Sequence, residues 1–82
     1  MVRASKVVRD DSKRATMAEI DTGNVQITYI LNQRGQLEEI GRSSWNQVLD
    51  DQSLIVSPVD LQASKDMAGA ILREKRRKVP TR

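Results

Sequence analysis

The chain has 82 residues, with 14 Lys or Arg against 11 Asp or Glu and neither His nor Cys. It is long enough for one small domain, and both disulfides and the usual thiolate and imidazole zinc ligands are excluded. Its longest apolar runs are three residues, as at 29–31, 54–56 and 70–72, far short of the roughly 20 that span a bilayer, and the N-terminal residues hold no signal-peptide core, so a cytoplasmic protein is expected.

Charge is laid out unevenly. The first 14 residues carry five basic and two acidic side chains, the last ten carry six and one, and residues 15–72 carry three and eight. An acidic body therefore bears two basic ends, an arrangement suited to gripping phosphate backbones and equally to keeping a small domain soluble. With Tyr29 and Trp45 as the lone aromatics and no Phe, the core is thin. A partner is expected to support it: a second copy, another protein or a nucleic acid.

Residues 1–13 mix charged and small side chains without a clean period and read as a basic flexible arm. "RATMAEI" alternates weakly, and "DTGN" after it supplies turn chemistry through Gly23 and Asn24. In "VQITYIL" the odd positions Val25, Ile27, Tyr29 and Leu31 are apolar while Gln26, Thr28 and Asn32 are polar, a period of two in β-branched and aromatic types. "NQRG" then closes a tight connection and "QLEEIG" returns as a weaker strand.

"RSSWNQVLDD" places Ser44 three residues before Gln47, the spacing of a capping box, and predicts a short helix over about 44–51 with Trp45, Val48 and Leu49 on one face. "SLIVS" reads as a buried strand or connection. Ser57 then caps a helix whose first position is Pro58 and whose capping carboxylate is Asp60. Its apolar stripe is Val59, Ala63, Met67, Ala70 and Ile71, flanked by Leu61, Ala68 and Leu72. Carried through to Lys78, this helix is about 31 Å long, with a basic last turn suited to the macrodipole. Ala68, Gly69 and Ala70 form a small-residue patch that admits close approach of another element.

Several short motifs suggest chemistry that their context does not support. Asp21-Thr22-Gly23 resembles the catalytic triplet of retroviral-type aspartic proteases, and "EEIGR" faintly resembles their second signature. Only about 20 residues separate Asp21 from Gly41, too few for a flap and its strands, and a hairpin turn explains the triplet. The pairs Asp10-Asp11, Glu38-Glu39 and Asp50-Asp51 are adjacent residues that point apart in helices and strands alike, so none is a converging dyad. Ser5-Lys6, Ser12-Lys13 and Ser64-Lys65 lack the desolvated amine that a Ser-Lys dyad requires. "LEEIGRSSWNQVLDD" is similar to a helix-turn-helix, but its recognition helix would face phosphates with Asp50 and Asp51. No phosphate-cradling glycine loop is present, and no cofactor or metal is expected.

The expected fold is therefore α+β: a small three- to four-stranded antiparallel sheet with a short helix and a long C-terminal helix. Its parts are a basic flexible arm at 1–13, a small domain at 14–72 and a basic helix end and tail at 73–82. Function is expected to be non-enzymatic. One reading is a nucleic-acid-binding regulatory or accessory protein holding DNA or RNA phosphates through Arg73, Lys75, Arg76, Arg77 and Lys78, with Arg3, Lys6, Arg9, Lys13 and Arg14 assisting. On a helix, Arg73, Arg76 and Arg77 would share one side. The alternative is a protein-interaction module, an adaptor, inhibitor or assembly subunit, using the acidic body or an open sheet edge. A homo-oligomer fits either reading.

Overall fold

A computed structural model describes residues 2–44 and 54–74. Four strands, β1 (Arg3–Arg9), β2 (Ala15–Asp21), β3 (Val25–Leu31) and β4 (Leu37–Ser44), are followed by one helix, α1 (Pro58–Leu72). The sheet is an antiparallel meander in chain order, β1-β2-β3-β4. α1 crosses one face and packs mainly on β2.

The apolar residues at alternate positions 25, 27 and 29 of β3 mark the face that is buried under the helix. Val25, Ile27 and Tyr29 point under the helix and are almost inaccessible to water. Register places Ile20 opposite Ile27 and Ala18 opposite Tyr29, so β2 adds Ala18 and Ile20 to the same layer. Small residues at Ala18 and Ala68 let the helix backbone approach the sheet closely.

α1 begins where expected. Ser57 has an extended backbone and its Oγ accepts from the Asp60 amide at 3.2 Å, with Pro58 at the start of the helix. Its buried stripe is rotated from the predicted one. Ser64, Ala68, Gly69 and Leu72 face inward, whereas Val59 is 78% exposed and Ala70 lies outside. A polar pair explains the rotation. The Ser64 hydroxyl donates to the Leu61 carbonyl at 2.8 Å and lies 2.7 Å from the Tyr29 hydroxyl, which is thereby left to donate to it. Burial pushes the Tyr29 phenol above its ordinary pKa, so it stays neutral. A buried tyrosine needs such a partner, and the helix turns its one suitably placed serine inward to supply it.

Three further expectations are corrected. The C-terminal helix is not long: it comprises 15 residues and ends at Leu72, with Arg73 as its C-cap. Leu72 is its last core residue. Beyond it, "REKRRK" offers nothing apolar to bury and sets like charges three and four residues apart, which disfavours a helix. Second, residues 3–9 of the expected arm form strand β1, so the fourth strand comes from the N-terminal segment, and 54–57 form no strand. Bulges at Ala4/Lys6 and Val8/Arg9 break the period of two in "RASKVVR". Ala4 and Val7, three apart in sequence, both pair with core-facing residues of β2. Third, Ser44, the expected helix cap, belongs to β4. The remainder of the predicted short helix, including Trp45, lies outside the described residues.

β4 is bulged as well: Thr28 pairs with Gly41 but Tyr29 with Glu39, which leaves Ile40 unpaired and 52% exposed. Beside it Arg42 and Glu39 share the helix side of the strand and form an ion pair. Arg42 also donates to the Leu54 carbonyl at 2.9 Å, tying the start of the helical segment to the sheet. That Leu37–Ser44 is a strand removes the helix-turn-helix reading. Asp21-Thr22-Gly23 closes the β2–β3 hairpin: Asp21 Oδ1 accepts from the Gly23 amide at 2.8 Å and Thr22 Oγ1 donates to the Val25 carbonyl at 2.8 Å.

Candidate nucleic-acid interface

An antiparallel meander places alternate turns at the same end of the sheet. The β1–β2 and β3–β4 turns are therefore neighbours, about 10 Å apart at two strand spacings, and the C-terminus of α1 arrives between them. These three pieces enclose a cleft of about 1080 Å³. Its rim carries Arg9, Lys13, Arg14 and Arg73, its lining includes Ala15, Leu31 and Leu72, and its one carboxylate is Glu74.

Each rim side chain is placed by identifiable bonds. In the β1–β2 turn, Asp10 Oδ1 accepts from the Ser12 amide at 2.9 Å, the Ser12 hydroxyl at 2.6 Å and the Arg14 amide at 3.0 Å. The backbone closes through the Asp10 amide to the Arg14 carbonyl at 3.0 Å and the Lys13 amide to the Asp10 carbonyl at 2.9 Å. Lys13 consequently sits in the left-handed region, φ 72°. Arg9 Nη1 donates to the Lys13 carbonyl at 2.9 Å. The hydrogen bond from Ser12, reinforced by the Arg14 amide, holds the Asp10 carboxyl below its ordinary pKa.

The β3–β4 turn repeats this device. Asn32 Oδ1 accepts from the Arg34 amide at 2.8 Å and the Gln36 amide at 3.0 Å. The Asn32 amide bonds the Gln36 carbonyl and the Gly35 amide bonds the Asn32 carbonyl, both at 2.9 Å. Gly35 takes the left-handed position with φ 77°. Its carbonyl accepts from Arg73 Nη2 at 3.4 Å. Arg73 also folds back along its own helix, where a Cβ on Gly69 would meet its Nη1 at 2.8 Å; a side chain at 69 would displace this guanidinium.

Of the ten basic residues singled out in the sequence, four meet here. Arg9, Lys13 and Arg14 come from the N-terminal group and Arg73 from the C-terminal one. Arg3 and Lys6 do not join them. Arg3 lies six residues back along β1, roughly 20 Å from the turn, with its Nε 3.6 Å from Asp21 Oδ2. Lys6 pairs in register with Glu19 on the helix-free face. Lys75, Arg76, Arg77 and Lys78 lie outside the described residues. With α1 ending at Leu72, the shared helical side expected for Arg73, Arg76 and Arg77 is not formed by α1.

The rim's own carboxylate is only loosely engaged, since Arg9 Nη2 and Glu74 Oε1 are 3.8 Å apart and both side chains are well exposed; such pairs contribute little. Among the described residues that line the cleft, four cations thus face one carboxylate across a concave surface, with the Asp10 carboxylate beside Arg14 within the β1–β2 turn. One contributor escaped the sequence reading: Glu74, which also lines the cleft, was hidden within a basic run. The one signal the two turns share in sequence is the Asp or Asn anchor, Asp10 and Asn32.

Among the described residues no group of three or more Asp or Glu is placed to hold a metal ion, and no helix is long and apolar enough to cross a membrane. The chain matches no protein-family model, no curated protein and no solved structure.

Proposed function

We propose that this protein is a non-enzymatic, nucleic-acid-binding accessory or regulatory protein that holds phosphates in the basic cleft. One observation carries the reading: the fold draws Arg9, Lys13, Arg14 and Arg73 from opposite ends of the chain onto one concave rim that, among the described residues, is lined by a single carboxylate. Lys75, Arg76, Arg77 and Lys78, which follow Glu74 in the chain, are further phosphate contacts in this proposal. Capture of a protein strand at a sheet edge has weaker support, because both edge strands, β1 and β4, are bulged and bulges blunt strand addition.

Titration of the protein with a labelled oligonucleotide over a salt series tests this. Neutralising four phosphates predicts a log-log slope of about −3. A slope near zero rejects the proposal.

A further inference from the structure

We infer that the cleft takes a nucleotide whose base is turned out of its stack, and hence that the ligand is a single strand and not a duplex. This rests on the proposed function and narrows it. The cleft is concave and, at about 1080 Å³, is as large as sites that enclose small organic ligands, about 300–1,000 Å³. Below the cationic rim its lining turns apolar at Ala15, Leu31 and Leu72, and Leu31 keeps part of its surface exposed. Phosphate cannot cover such a surface favourably. A duplex offers the rim a convex ridge of phosphates with its base faces already stacked away, leaving the floor wet. A splayed nucleotide satisfies both parts, its base lying on the aliphatic floor and its phosphate remaining among the cations.

Glu74 supports the same assignment. A carboxylate repels phosphate, yet it accepts hydrogen bonds from the amino groups on base edges. The planar guanidinium groups of Arg9 and Arg73 at the rim supply flat faces for a base where no aromatic among the described residues lines the cleft.

Electrostatics alone ranks the ligands in the opposite order, because a duplex has the higher charge density and the greater counterion release per contact. The intact protein is therefore titrated with a short single strand, with its duplex, and with an abasic strand of equal length. The expected result is that the ordinary strand binds about fivefold or more tightly than the abasic one, the lower end of what one accommodated base contributes, and more tightly than the duplex. Equal affinity for ordinary and abasic strands, or tightest binding to the duplex, overturns base capture and leaves the phosphate grip standing. Failure of all three to bind with a salt-dependent affinity overturns both.

Discussion

The two turns beside the cleft use one backbone design with different occupants. Asp10 and Asn32 anchor them through the same pattern of amide contacts, and both chains pass through a left-handed residue three positions later. In the β3–β4 turn that residue is Gly35, which has no Cβ to strain. The β1–β2 turn places Lys13 there, where an L-residue is destabilised by roughly 1–2 kcal/mol. Stability alone would select glycine at both positions. Under the proposed function, a lysine at the strained position, on the rim of a cationic cleft, is accounted for by a phosphate contact of its ammonium.

This contrast can be broken most strongly at the anchors. Asp10→Ala removes an acceptor of three hydrogen bonds and Asn32→Ala an acceptor of two from backbone amides. Each is expected to lower the midpoint of urea denaturation, Asn32→Ala by about 1–2 kcal/mol of unfolding free energy, the scale of a lost helix cap. If either proves neutral, the turns are not held by their side chains.

Exchanging the left-handed residues has a smaller and more diagnostic effect. Gly35→Lys is expected to destabilise by about 1 kcal/mol, while Lys13→Gly stabilises by about 0.5 kcal/mol, strain relief being partly offset by a freer unfolded chain. Lys13→Gly should at the same time weaken oligonucleotide binding and shallow its salt slope by about 0.7–0.9. A variant both less stable and unchanged in binding would contradict the explanation given for Lys13.

The smallest effect separates the turns by pH. Asp10 titrates and Asn32 does not. Because the Asp10 carboxyl is held below its ordinary pKa, its contribution is complete above the ordinary carboxylate pKa and is lost as pH falls through the lowered value. Acidification should therefore shift the Ser12 and Arg14 amide resonances in an NMR titration while Arg34 and Gln36 stay in place. Asp10→Asn should abolish the difference.

The same pair explains how much of the fold was legible. "NQRG" announces its hairpin because Gly35 stands where positive φ is needed, and β3 announces itself by apolar β-branched and aromatic residues at alternate positions, interrupted only at Ile30. "DDSKR" conceals an equivalent hairpin because a lysine occupies that position, and the bulges in β1 erase the period that would have marked a strand. For the site, charge clustering picked out Arg9, Lys13, Arg14 and Arg73 individually. Their convergence follows from a meander placing alternate turns together, which composition cannot express, and Arg3 and Lys6 were grouped with them only by proximity in sequence. The end of α1 was misjudged for a related reason: caps and charge favoured extension, whereas burial stops at Leu72.

The most direct test of a phosphate-gripping cleft compares two neutralised proteins in the same salt series. One carries Arg9→Gln, Lys13→Gln, Arg14→Gln and Arg73→Gln; the other carries Arg3→Gln and Lys6→Gln. The account predicts that the first loses about three units of log-log salt slope and the second loses less than about one. A loss proportional to the number of charges removed in both proteins would contradict it, because binding would then follow overall charge and not the cleft.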